Sequence, residues 1–434
     1  MNLLYPHLSV NAAGHLAIGG MDTLDLARRF GTPAYIMDES AIRGMMRTYL
    51  DAARTYFGPD ALPLYASKAL SFTAIYRIAA EEGMGVDCVS GGELYTARRA
   101  GFPAEKIYFH GNNKTDRDIE DAMDMGVGTF VSDNEEELVA LEAAAARRGI
   151  TQRILLRITP GIDPHTHKAI STGSVDSKFG SAIETGRAME MVCLAAAKPH
   201  LRLAGFHCHI GSQIFDTDPF ADAADIMIRF IADVREKTGI TVEELNLGGG
   251  LGVPYTEFDR PVDYAGAIRD MAAIVRAFCD THGVTLPRII LEPGRSLVAA
   301  AGITLYTVGS VKEIPGFRTY VSVDGGMPDN PRYALYQSTY TALIADRPDA
   351  PRDTRVTIAG RCCESGDLIG EDMPLQAARR GDTLAVLTTG AYNYAMASNY
   401  NRLPRPPVIM VRNGEAREVV RRESYEDLVR NDLL

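Results

Sequence analysis

Between residues 60 and 295, short apolar runs alternate with helix-forming stretches. The runs are Leu62–Ala66, Gly85–Val89, Ile107–His110, Thr129–Ser132, Ile154–Ile158, Leu203–His207, Leu245–Leu247 and Ile289–Glu292. Each is nearly continuous in apolar side chains, the pattern of a strand buried on both faces. The stretches between them read as helices. Residues 134–148 give the clearest case: Asn134 is placed to cap, Glu135, Glu136 and Glu137 suit the positive end, Arg147 and Arg148 the negative end, and Gly149 a stop. Residues 72–82 form another. Strand–helix units repeated in this way predict an α/β fold, a closed parallel (β/α)8 barrel. An open doubly wound sheet would usually have fewer strands and a glycine-rich turn after the first one, which is absent.

Beyond residue 302 the texture changes. Short β-rich runs at Ile303–Val308, Thr319–Val323, Arg355–Ile358, Thr383–Leu387 and Val408–Val411 are separated by turn residues, among them Gly325-Gly326, Gly390 and Asn413-Gly414. They predict a second, all-β domain, a β-sandwich or β-barrel. Leu16–Gly20 offers an extra strand to it. The expected division is a barrel over 32–301 and a β-domain from 1–31 and 302–434. A chain of 434 residues suits about two domains.

Composition narrows the function classes. A net charge of -11 argues against nucleic acid as a partner. No apolar run reaches the roughly 20 residues of a membrane helix, and residues 1–10 lack the basic-then-apolar pattern of a signal peptide. The cysteines at 88, 193, 208, 279, 362 and 363 show no CxxC spacing, so neither a zinc site nor a disulfide framework is expected. Reduced, mostly buried thiols in a cytoplasmic protein are the simplest reading for all but Cys363.

The working residues of such a barrel gather at the C-terminal ends of its strands. Read in order, those tips carry Lys68, Asp87, His110, Ser132, Arg157, His207, His209, Gly248–Gly250 and Glu292, whereas the opposite ends begin with apolar or loop residues. A loop lysine is usually solvated, but one desolvated at a barrel rim has a lowered pKa and becomes a usable amine. Gly248-Gly249-Gly250-Leu251-Gly252 is either a flexible turn or a cradle whose backbone N–H groups close on a phosphate. Glu292-Pro293-Gly294-Arg295 is either a surface turn or a carboxylate for a protonated ring nitrogen, with an arginine free to fork onto a carboxylate. His207 and His209 share a strand face, as two metal ligands would, but no third ligand is evident and no metal is expected. Gly390–Tyr394 reads as a hairpin, and residues 160–180, with Asp163, His165 and His167, as a lid candidate. Far downstream, Gly360-Arg361-Cys362-Cys363-Glu364-Ser365-Gly366-Asp367 sets a thiol beside a carboxylate between glycines.

These motifs occur together in a particular order: YASKA at 65–69, HCHIGSQ at 207–213, GGGLG at 248–252, EPGR at 292–295, CCESGD at 362–367 and GAYNYAMASNYN at 390–401. In that order they resemble the pyridoxal-phosphate-dependent decarboxylases that pair a barrel with a β-domain, nearest to the members acting on diaminopimelate. The resemblance spans roughly residues 20 to 407.

It implies a cofactor, pyridoxal 5'-phosphate, held covalently through its aldehyde by Lys68. It gives His209 the ring-stacking role and Glu292 the pyridine nitrogen. Ser212, Gly250, Gly294 and Arg295 lie about the phosphate, with Asp87 and Pro293 among the cofactor contacts. Tyr392 stands near both phosphate and substrate. Arg295, Arg332, Tyr336 and Glu364 hold the distal end of the substrate. Cys363 is the proton donor, supplied by the other subunit of a homodimer with shared sites. The implied reaction converts meso-2,6-diaminopimelate to L-lysine and carbon dioxide, the last step of lysine biosynthesis. The alternatives are a decarboxylase of the ornithine, arginine or carboxynorspermidine type, a racemase, and a non-catalytic regulator.

Overall fold

The computed structural model describes residues 3–162 and 177–433. Asp163, His165 and His167 of the lid candidate lie outside them. The chain divides into two compact units: residues 45–252 with 262–294, and residues 1–44 with 253–261 and 295–434.

The first unit is a closed barrel. Its strands are β1 (Leu62–Ala66), β2 (Gly85–Cys88), β3 (Ile107–Phe109), β4 (Thr129–Ser132), β5 (Gln152–Thr159), β6 (Leu201–His207), β7 (Glu244–Asn246) and β8 (Arg288–Leu291). Each pairs in parallel with the next, and β8 returns to β1. Every apolar run read from the sequence is one of these strands, shifted by at most two residues at either end. The interior is filled by Leu62, Leu64, Tyr108, Val131, Leu155, Ala204 and Ile290.

Helices close the units as their end residues dictate. Asn134 accepts a hydrogen bond from the Glu137 N–H, the helix runs Glu135–Arg148, and Gly149 ends it in a left-handed conformation at φ 63°. Phe72 precedes, rather than begins, the helix Thr73–Glu82.

Contrary to what the strand tips suggested, polarity is not confined to one rim of the barrel. Glu244, buried at the start of β7, pairs with Arg153 at 2.8 Å and Arg288 at 3.1 Å, and accepts from the Tyr108 hydroxyl at 3.0 Å. These strand starts are polar because a buried carboxylate needs cations and donors around it. Polarity alone therefore does not mark the working end.

The second unit is mostly strand. One path runs through Leu368–Leu375, Thr354–Ala359, Arg318–Val323, Gly302–Ile314, Ala34–Asp38, Val408–Arg412 and Glu415–Val420. Thr383–Leu387 also pairs with Gly302–Ile314 and carries Ala342–Ile344 on its other side. A small meander joins Leu8–Val10, Leu16–Ile18 and Met21–Asp22. Leu16, Ile18, Ile36, Ile303, Leu305, Leu343 and Ile409 share one core. Ala34–Asp38, which the expected division put with the barrel, hydrogen-bonds here to Gly302–Ile314 and Val408–Arg412. The expected hairpin at Gly390–Tyr394 is instead a turn leading into a short 3-10 segment, Tyr394–Met396.

Candidate active site

Within the barrel, the sequence-derived residues Lys68, Asp87, His209, Ser212, Gly250, Glu292, Pro293 and Gly294 all sit at or just past the C-terminal strand ends. Lys68 lies in a single 3-10 turn, Ser67–Ala69, directly after β1. Ser67 fixes that turn: its buried hydroxyl bonds the Asp87 carbonyl at 2.8 Å and the Glu93 carboxylate at 2.8 Å. Lys68 itself is exposed, so the desolvation expected of it does not come from this chain's own packing. Its positive charge acts on Asp87, Glu93 and His209.

Glu292 is the centre of a buried network. Asn246 Nδ2 donates to Oε1 at 2.6 Å, and His207 Nε2 lies 3.0 Å from Oε2. His110 Nε2 approaches Oε1 to 2.7 Å. Burial pushes this carboxyl upward, but His110 and His207 outweigh it and hold Glu292 well below the usual carboxylate range. Burial also drives His207 down to about 3, so it is neutral and donates a hydrogen bond from its Nε2–H to the carboxylate. Oε2 then has room for one more donor. Asp87 differs. Its burial raises its pKa, with His110 pulling back.

His110, His207 and Glu292 place one ligand-type atom each within 4.8 Å of one another. Three potential metal-ligating side chains thus meet, two imidazoles and a carboxylate, though His207 pairs with His110 and Glu292 rather than with His209. His209 is kept neutral by burial first, and then by the Lys68 and Arg157 charges.

The glycine loop is tied to both. Asn246 Oδ1 accepts from the Gly248 N–H at 2.9 Å, and the Gly249 N–H points to His209 Nδ1 at 3.4 Å. A Cβ on Gly249 would lie 2.1 Å from the Glu292 carbonyl oxygen, and one on Gly250, at φ 123°, 2.2 Å from that of Gly211. Side chains are excluded because three backbone segments converge there. Ile214 and Leu251 form a bridge that locks the loop carrying Ser212 to the glycine loop.

In the second unit, Arg295 and Arg332 are both buried, and both lie against Tyr392, at 4.8 Å and 5.3 Å from its ring centre. Arg295 Nη1 donates to the Tyr255 hydroxyl at 2.9 Å, and Arg332 lies over Tyr336 at 4.6 Å. Cys363 and Glu364 are exposed on the loop between Thr354–Ala359 and Leu368–Leu375. Glu364 Oε1 accepts from the Gly366 N–H at 3.1 Å. At Cys362, burial, then Asp367, pushes the thiol up to about 12.

Ser67, Glu93, Asn246 and Asn401 were not read from the sequence. Asn246 left one signal, a polar residue between Leu245 and Leu247 in an apolar strand.

Comparison with known proteins is decisive. Residues 43–299 match the model of the pyridoxal-dependent decarboxylase pyridoxal-binding domain. The diaminopimelate decarboxylase of Bacillus subtilis is 48% identical over 423 residues, covering 98% of this chain and 96% of that one. That of Staphylococcus aureus is 44% identical, covering 97% and 98%. The chain belongs to the diaminopimelate decarboxylases. The crystal structure of the M. jannaschii diaminopimelate decarboxylase superposes with a TM-score of 0.91 at 36% identity, over 99% of this chain and 98% of that one. The fold of this family, a closed parallel barrel with a separate mostly-strand unit, is the one described above. Among the described residues, no helix is long and apolar enough to cross a membrane.

Proposed function

We propose that this decarboxylase converts meso-2,6-diaminopimelate to L-lysine and carbon dioxide with pyridoxal 5'-phosphate as cofactor, the last step of lysine biosynthesis. The residues fit that cofactor. An ionised, buried Glu292 with capacity for one more donor suits a protonated ring nitrogen. A neutral His209 suits a flat ring, and a side-chain-free loop beside Ser212 suits a phosphate. When bound, the pyridoxal ring supplies a sink for the electron pair left when carbon dioxide departs.

Lys68 would hold the cofactor as its covalent anchor. Its exposure leaves that amine accessible. His110 and His207 hold the Glu292 carboxylate in its charged state, and Asn246 donates a hydrogen bond to it. Asp87, Gly250, Pro293, Gly294 and Arg295 complete the cofactor contacts. Cys363 delivers a proton to Cα once carbon dioxide has left. We place that cysteine in the partner subunit's site of a cytoplasmic homodimer.

The observation that carries the substrate assignment is the pair of buried guanidinium groups against Tyr392. The distal end of diaminopimelate bears both a carboxylate and an ammonium. Arg295 and Arg332 serve the carboxylate, Glu364 the ammonium, and Tyr336 and Tyr392 pack beside them. Ornithine offers only a cation at that end, and two arginines repel it. The M. jannaschii relative has been crystallised with L-lysine, which is the product proposed here. Turnover of diaminopimelate, with none of lysine or ornithine, is the expected assay result; comparable turnover of ornithine would overturn the assignment.

A further inference from the structure

The loop that carries Cys363 is held through four successive backbone N–H groups. Gly360 donates to the Asp367 carbonyl at 2.9 Å and Arg361 to the Gly325 carbonyl at 3.0 Å. Cys362 donates to Asp367 Oδ2 at 2.6 Å and Cys363 to Asn401 Oδ1 at 2.7 Å. The second oxygen of the same carboxylate, Asp367 Oδ1, accepts from the Met327 N–H at 2.6 Å. Met327 lies in the turn that leads into the short helix Arg332–Tyr336. One buried carboxylate thus bridges two loops. One bears the thiol and the other leads to the distal arginine.

Two glycines make room for it. A Cβ on Gly326 would lie 2.3 Å from Asp367 Oδ1, and one on Gly360 2.2 Å from Oδ2. Gly326 also has φ 148°, but Gly360 does not lie in the left-handed range, so at Gly360 space alone excludes a side chain. The bonds to Asp367 are charge-assisted, and with little solvent around it the carboxylate cannot exchange them for water without cost.

We propose that Asp367 is a positioning residue for the decarboxylation. It sets Cys363 in register with the turn that leads to Arg332, and it touches neither substrate nor cofactor. This rests on the activity proposed above. Asp367→Asn replaces one acceptor with an NH2 group that faces a backbone N–H. Gly360→Ala displaces the carboxylate without changing its charge.

In the cofactor-loaded enzyme, both variants are expected to lower kcat by about tenfold to a hundredfold, as misplaced catalytic groups do. KM should move less than about threefold, and the absorbance of the bound cofactor should stay unchanged. Amide hydrogen exchange should rise together in residues 325–329 and 360–364, and nowhere in the barrel. Exchange is read without turnover, so it tests the bridge even if the wild type proves inactive on diaminopimelate. Unchanged exchange in both segments, or a kcat equal to wild type, overturns the proposal. So does loss of the whole fold in both variants, because the carboxylate would then support the unit rather than the loop.

Discussion

Tyr392 holds a left-handed backbone at φ 60°, which costs a residue with a side chain about 1–3 kcal/mol. Its ring lies against both Arg295 and Arg332, and that placement explains why the strain persists. Asp329 shows a different cost. It is buried, accepts from the Gly326 N–H at 3.0 Å and bonds the Tyr306 hydroxyl, and burial raises its pKa to about 7. The folded chain therefore keeps a proton that the unfolded chain releases from about pH 4 upward. The stability this group contributes is present at low pH and lost as pH rises toward 7. Asp329→Asn, which stays neutral, should flatten the dependence of the urea midpoint between pH 5 and pH 8; an unchanged slope would refute the assignment. At position 363 the thiol is exposed and on a loop. Cys363→Ala should lower kcat by about a hundredfold or more, the usual contribution of a proton donor, with the cofactor's visible absorbance intact. Unchanged activity would remove the thiol from the reaction. Lys68, Glu292 and Cys363 were legible as candidates because each stands in a motif. Asn246, Ser67 and Asn401 were not, because they act through hydrogen bonds that only the fold brings about.

Among the elements, the barrel strands were legible because parallel strands covered on both faces are apolar throughout. Residues 408–420 were partly legible too: Asn413 and Gly414, at φ 53° and 77°, make the tight turn their sequence announces. Leu368–Leu375 and Ala342–Ile344 were missed. The first has no simple alternation, since it bulges against Thr354–Ala359, and the second is only three residues long. Ala34–Asp38 is apolar enough to pass for a barrel strand, and only its partners assign it to the other unit. The glycine loop after β7 makes a sharper claim. Gly249 does not lie in the left-handed range, so Gly249→Ala acts through the clash with the Glu292 carbonyl. That variant should weaken binding of pyridoxal phosphate by about tenfold or more, the effect of about 1.4 kcal/mol. A titration showing wild-type affinity would mean that the loop yields without harm to the site.

For the whole molecule, the proposal of shared sites has its own test. A Lys68→Ala chain and a Cys363→Ala chain should each be inactive or nearly so. Mixed dimers formed from equal amounts contain one intact site each, so about a quarter of wild-type activity should return on mixing. No recovery after confirmed exchange of subunits would place both residues in one chain's site. The most direct test of the account is where the cofactor attaches. Borohydride reduction of the loaded protein, followed by peptide mass mapping, should place one pyridoxyl group on Lys68 and none on any other lysine. A protein that stays colourless with pyridoxal phosphate, or a label found elsewhere, would contradict it.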